Sequence, residues 1–269
     1  MRSIMDVDGA PWQDMGPHPA FDGPVRGCKR LHAPTGKQLL IFRFDGVAHA
    51  HLHLRPTSFF MTGGSMALRD RTVGPGMWGL EPTGAIHPAT TFHDAVYGYG
   101  MTPGLDIGVG IVSLPPDGKV PPMLEKAGFA VDELDDLVDS AALDWTPSGV
   151  DGVAMKLLHP FEGSSAFSAL YRAEAGARLP RRRYVGPTDQ FVFEGQARFD
   201  DAEAGAGTWI HQPLGSTEGE VRFEIATEWL QNSYGPVLDL GADGAIQGIT
   251  DGFSLTAQAG KRVQGAYVN

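Results

Sequence analysis

Gly76-Met77-Trp78-Gly79-Leu80-Glu81-Pro82-Thr83-Gly84 returns 131 residues later as Gly207-Thr208-Trp209-Ile210-His211-Gln212-Pro213-Leu214-Gly215. The outer glycines, the proline and the tryptophan recur at identical spacing. Working outward at the same offset, Pro56-Thr57 maps onto Pro187-Thr188, Phe60 onto Phe191 and Gly64 onto Gly195. Trp12 and Trp145 open the two copies, and Lys29-Arg30-Leu31-His32 resembles Lys156-Leu157-Leu158-His159. Near the copy ends, Pro116-Asp117-Gly118 resembles Ala242-Asp243-Gly244. A constant offset over a Gly/Pro/Trp framework marks a duplicated unit, here of about 120 residues.

The unit is rich in β structure. Across 269 residues, 36 Gly and 20 Pro punctuate the chain. Between them lie short runs of strand-forming residues, such as Gln38–Phe44, Ser58–Thr62, Gln190–Phe193 and Val221–Ile225. Short strands separated by turn residues predict a sandwich or barrel rather than alternating strands and helices. One segment reads as a helix, Pro122 to Leu143, with Leu124, Phe129, Val131, Leu134, Leu137 and Val138 against an acidic face. The expected organisation is therefore an N-terminal domain over 1–121, a helical linker over 122–143 and a C-terminal domain over 144–269.

Charge and composition narrow the partners. The net charge is −11, which argues against nucleic acid or an anionic membrane surface as the principal partner. No apolar run approaches the roughly 20 residues of a membrane span, and the first residues carry no apolar signal segment. A cytoplasmic protein acting on a small molecule is expected. The single cysteine, Cys28, excludes an internal disulfide and a thiolate cluster, and is expected to be buried and inert. Any metal must then be held by histidines and carboxylates.

The first copy supplies them. His49-Ala50-His51-Leu52-His53 spaces three imidazoles at the strand period, so alternate rings can share one face. A surface histidine strip would read the same way. Two such rings and a third from a neighbouring strand can hold one divalent ion, and His87 follows Gly84 at a suitable distance. His93 is a spare.

These residues resemble the two cupin motifs. For the first, G(x)5HxH(x)3–4E(x)6G, Gly46 is followed closely by His51-x-His53, then Thr57 and Gly64. The second, G(x)5PxG(x)2H(x)3N, is matched by Gly76, Pro82, Gly84 and His87, with Thr91 departing from it in the last place. The second copy fits the same scaffold with Arg182, Tyr184, Thr188, Gly195, Gly207, Pro213, Gly215 and Glu218. The resemblance implies an all-β fold of two tandem cupin domains (double-stranded β-helix jelly rolls) joined by a short acidic helix. Within the cupins the chain is most similar to the group of 2,4'-dihydroxyacetophenone dioxygenase and the ChrR-type anti-sigma factors. The ending Gly244-Ala245-Ile246-Gln247-Gly248-Ile249-Thr250-Asp251 resembles that group's.

The resemblance assigns His51, His53 and His87 to the metal-ligand positions. Thr57, with Ser58 beside it, stands where the family has a glutamate ligand, which leaves three neutral imidazoles. His49 is expected outside the ligand set or at the surface. Arg55 is a candidate for holding a substrate anion, and Glu81 a candidate acceptor behind an imidazole. Three neutral ligands favour an anionic oxygen chelator as substrate. The implied cofactor is one divalent metal, Fe(II) in preference to Zn(II) or another ion. The implied activity is dioxygenase cleavage of a C–C bond in a small β-diketone or hydroxyketone. Alternatives are a non-catalytic zinc-binding or ligand-sensing cupin like ChrR, and a cupin isomerase, lyase or decarboxylase. In the second copy, Arg182 would repel a metal. Arg182, Tyr184, Thr188 and Glu218 then mark a degenerate site, with Arg182 and Glu218 expected to fill it as an ion pair. The family also implies a homodimer formed through strand edges.

Overall fold

A computed structural model describes residues 2–14, 21–23, 25–34, 38–53, 57–68, 71–81, 84, 86–101, 111–115, 119, 121–126, 136–161 and 163–259. The chain is almost entirely β and divides into two compact units. One contains Ala10–Ala141; the other contains Met1–Gly9 together with Ala142–Ala266.

The N-terminal unit is built on a sheet of long antiparallel strands. After β1 (Ser3–Asp6), which belongs to the other unit, come β2 (Val25–His32), β3 (Gln38–Ala48), β4 (His51–His53), β5 (Thr57–Leu68), β6 (Met77–Glu81), β7 (Ile86–His87), β8 (Thr90–Met101) and β9 (Ile111–Ser113). α1 (Pro122–Lys126) and β10 (Asp136–Asp139) follow. The main sheet runs β10-β6-β5-β8-β3, with β2 also on β3. A small sheet runs β9-β4-β7. Leu40, Phe42, Phe44, Met61 and Phe92 are buried in one core, with Phe44 and Phe92 edge to face at 4.9 Å.

The C-terminal unit repeats the plan with β11 (Val153–Pro160), β12 (Phe167–Ala173), β13 (Arg181–Tyr184), β14 (Thr188–Glu194), β15 (Thr208–Gln212), β16 (Thr217–Glu218), β17 (Thr227–Ser233) and β18 (Val237–Leu240), closing with α2 (Gly252–Ala259). Its main sheet runs β1-β15-β14-β17-β12-β11. The copies agree in register as well as in sequence. Phe60 faces Trp78 and Phe191 faces Trp209; Thr57 faces Glu81 and Thr188 faces Gln212. The repeated glycines are explained by backbone. Gly64 and Gly195 have φ of 65° and 80°, and a Cβ at either would lie 2.2 Å from a carbonyl oxygen.

The segment between the copies differs from its expected form. The helix read over 122–143 is described only as the five residues of α1, whereas Asp136–Asp139 is a strand; 127–135 lie outside the described residues. Leu137 and Val138 are buried, with Val138 opposite Trp78. Asp is a poor helix former, and an open strand edge on β6 gives these residues a better burial than a helix would. The equivalent edge of the C-terminal sheet is covered by β1, where Met5 lies opposite Trp209. The unit boundaries therefore differ from 1–121 and 144–269. Each sheet takes its edge strand from the segment that precedes the other copy.

Candidate metal centre

In the N-terminal unit, Leu52 on β4 is fully buried with Ile86 and Leu114. Pinning Leu52 to that apolar cluster turns its strand neighbours His51 and His53 to the opposite face. His51 pairs in register with His87 on β7. The Gly84 N–H donates to the His53 carbonyl at 2.7 Å, which ties the turn before β7 to β4. Gly84 has a φ of 84°, so the turn requires glycine there. The three rings form a triangle with centroids 5.0, 5.1 and 5.6 Å apart, and all three residues are buried.

Glu81, the last residue of β6, closes the cluster. Its carboxylate oxygens lie 2.8 Å from His87 Nε2 and 3.2 Å from His53 Nε2. His53, Glu81 and His87 thus bring three donor atoms within 4.8 Å of one another. The tautomers follow from the outer contacts. Thr90 Oγ1 donates to the Pro88 carbonyl and so accepts from His87 Nδ1 at 3.3 Å. His51 Nδ1 donates to the His49 carbonyl at 2.7 Å. A neutral ring that donates from Nδ1 keeps its Nε2 free to bind a metal. Neither His53 Nε2, His87 Nε2 nor Glu81 Oε2 makes a hydrogen bond, and all three atoms are buried. A nitrogen lone pair against a carboxylate is repulsive, and buried acceptors without a donor are costly. A cation among these atoms answers all of them, so the donor set fits a divalent metal.

Burial pushes the His51 imidazole down to about 3, with His87 and His53 adding to it. Burial also lowers His53, against the opposing pull of Glu81. For Glu81 burial acts upward, but the imidazoles of His53 and His87 outweigh it and hold the carboxyl at about 2. Metal binding requires deprotonated ligands, and the downward directions at His51, His53 and Glu81 agree with that requirement.

The other residues singled out in sequence fall as follows. His49 is half exposed, with Nε2 3.0 Å from Asp22, and contributes its carbonyl to His51. His93 is exposed on β8 and stands opposite Ser65. Thr57 and Ser58 are buried at the start of β5. Arg55 lies outside the described residues. Cys28 is buried, and burial raises its thiol to about 11. Glu81, read from sequence as an acceptor near an imidazole, faces the Nε2 atoms of both His53 and His87 and lies directly across from Thr57 in the glutamate slot. One signal was available: the copy that lacks the histidines also lacks this carboxylate, with Gln212 at the matching position.

The C-terminal unit fills the same positions differently. Glu218 accepts from Tyr184 Oη at 2.6 Å, Gln212 Nε2 at 2.5 Å and Arg2 Nη1 at 2.9 Å. Burial raises the Glu218 carboxyl, and the Tyr184 and Arg2 donors draw it back. The expected Arg182–Glu218 pair is replaced. Arg182 Nε donates to Asp239 at 2.8 Å, since Asp239 on β18 flanks Arg182 on the side away from Glu218. Thr188 shares a hydrogen bond with Ser233 at 2.8 Å. Among the described residues, no group of metal-ligating side chains gathers in this unit.

The sequence signature of the ChrR cupin-like domain matches residues 1–101 and again 133–238. The chain belongs to the ChrR cupin-like family. No curated sequence matches this family member. Among solved structures, it resembles a Nostoc punctiforme protein provisionally described as a dioxygenase, at 11% identity and a TM-score of 0.70, covering 93% of this chain and 86% of that one. It also resembles oxalate decarboxylase from Bacillus subtilis, at 12% identity and a TM-score of 0.60, covering 86% of this chain and 76% of that one. At such identities the ChrR cupin-like chain shares with them a fold. Among its described residues, no helix is long and apolar enough to cross a membrane.

Proposed function

We propose that the N-terminal cupin holds one divalent metal through His51, His53 and His87, with Glu81 as a fourth donor. We further propose that it works as a non-haem Fe(II) dioxygenase cleaving a C–C bond in a small β-diketone or hydroxyketone. The observation that carries the reading is the pair of buried imidazole nitrogens, Nε2 of His53 and of His87, gathered at the buried Glu81 carboxylate. Fe(II) bound there would act as a Lewis acid and hold substrate and O₂ side by side.

The chain's own residues set the charge and the shape. Glu81 cancels one of the metal's two charges, which three histidines alone would leave intact. A substrate that binds as a monoanion then makes the centre neutral, a favourable balance in a buried site. His87 and His51 are held by Thr90 and by the His49 carbonyl, so their rings are oriented before any ion arrives.

The test is metal analysis of the purified protein together with O₂ uptake over a panel of β-diketones and hydroxyketones. The expected result is iron-dependent O₂ consumption with at least one member. Iron-loaded protein inert to the whole panel overturns the dioxygenase reading. A second reading is favoured by the family match: zinc held by four protein donors in a closed, non-catalytic centre, as in a ligand sensor. Tight zinc retention without turnover, and a partner protein whose binding changes with ligand, would mark that outcome. Turnover that persists without O₂ would instead indicate an isomerase, lyase or decarboxylase.

A further inference from the structure

The C-terminal unit has a second, smaller sheet, in the order β16-β13-β18-β19, with β19 (Ile246–Thr250) at its edge. Arg182 and Tyr184 on β13 are buried, so strand alternation turns Arg181 and Arg183 outward, and both are exposed. Register then fixes two rows across the outer face. Arg181 stands opposite Leu240, and Leu240 opposite Ile246; Arg183 stands opposite Leu238, and Leu238 opposite Ile249. A regular strand would send residues 246 and 249 to opposite faces. A bulge at Gln247 brings both isoleucines to the outer one, where they are 58% and 55% exposed. Each row therefore reads cation, leucine, isoleucine.

Single exposed apolar residues are ordinary, but a contiguous stripe beside unpaired charge marks a binding face. Elsewhere on this unit exposed arginines are neutralised: Arg178 and Arg222 pair with Glu220, and Arg198 pairs with Glu203 and Glu224. Arg181 and Arg183 make no ion pair among the described residues. The two rows contain no carboxylate, in a chain whose net charge is −11. A second copy would set these rows against themselves. Each arginine would then meet an arginine or an isoleucine and lose water without a counter-charge. A partner that carries carboxylates avoids that cost. The dimensions suit a helix. The arginine and isoleucine columns are two strand spacings apart, about 10 Å, which is the diameter of a helix. Arg181 and Arg183 are about 7 Å apart along β13, close to the rise of about 6 Å between helix positions i and i+4.

We propose that the outer face of β13, β18 and β19 docks an acidic amphipathic helix of another protein. The apolar stripe of that helix lies along Leu238, Leu240, Ile246 and Ile249. Acidic residues four apart on one flank meet Arg181 and Arg183. This inference is independent of the metal centre.

The experiment titrates the full chain into fluorescent synthetic peptides and follows their anisotropy. One probe is an amphipathic helix of about five turns, with a leucine stripe and glutamates at i and i+4 on one flank. The other carries lysines in place of the glutamates. Wild type should bind the glutamate peptide at least about tenfold more tightly than the lysine peptide, a preference that shrinks at high salt. Arg181→Glu with Arg183→Glu should invert the preference, a rescue that a destabilised protein cannot give. Ile246→Ser with Ile249→Ser should weaken the glutamate peptide at least about tenfold while thermal unfolding stays as in wild type. Should either variant not fold, the comparison of the two peptides on wild type decides. Equal binding of the two peptides, binding of neither, or binding that survives the isoleucine substitutions overturns the proposal. Wild type that binds phosphatidylserine–phosphatidylcholine vesicles but not the glutamate peptide also overturns it and makes the face a membrane surface. A wild-type dimer in light scattering that the isoleucine substitutions dissolve overturns it in favour of a second copy.

Discussion

The two barrels place side chains at the same four positions and answer them in opposite ways. In the first, buried nitrogens of His53 and His87 converge on the Glu81 carboxylate, with the His51 ring beside them. In the second, Arg182, Tyr184, Glu218 and Gln212 converge with a donor for each acceptor described. The register is the same: His51 stands opposite His87, and Arg182 opposite Glu218. A fold therefore specifies where side chains meet, while residue chemistry decides whether the meeting place needs an ion. One copy is left incomplete by its own residues; the other has closed itself.

The strongest way to break this contrast is His51→Ala. Metal content should fall from on the order of one ion per chain to near zero, with the β fold retained by circular dichroism. Wild-type metal stoichiometry in that variant would refute the ligand assignment. Next is Glu218→Ala in the second barrel. It removes the shared acceptor of Tyr184, Gln212 and Arg2. Breaking such a buried charged network should cost about 3–5 kcal/mol in denaturant unfolding, while metal content stays unchanged. Loss of metal here would mean that the barrels are not chemically separate.

Glu81→Gln installs in the first barrel the residue that the second already carries. Metal affinity should fall about 10–100-fold, read by competition with a chelator, and the protein should remain folded. Unchanged affinity would remove Glu81 from the ligand set. A further prediction concerns pH. The His51 imidazole is depressed from 6.5 to about 3 in the folded protein. The unfolded chain therefore binds more protons across that window, so stability is full above pH 6.5 and lost as pH falls toward 3. Thermal unfolding of metal-free wild type should decline across the window, and less steeply in His51→Ala. Equal slopes would show that burial of His51 is not the cause.

The duplicated framework and the all-β class were legible because glycine, proline and tryptophan report local geometry. Gly64 and Gly195 cannot carry a Cβ, and that constraint survives duplication. The His51–His53 pair was legible because the strand period is two. Glu81 was legible as an acceptor near one imidazole, but not its place between two, which depends on the register between β5 and β6 that no short stretch encodes. The segment before the second copy was misread for a related reason. Its apolar residues Leu137 and Val138 fit a loose helical stripe, but the partner that decides their structure is Trp78, far back in the chain. Nothing in Ser3–Asp6 indicates that its partner is Trp209's strand.

That exchange of edge strands has a practical consequence for anyone dissecting the molecule. The duplication cannot be cut at its apparent seam. A fragment of residues 10–141 carries every strand of its own sheet, whereas a fragment starting at Ala142 leaves Thr208–Gln212 as a bare edge open to pairing with other chains. The second half keeps that edge covered when Met1–Gly9 is grafted back onto it, as in a circular permutant.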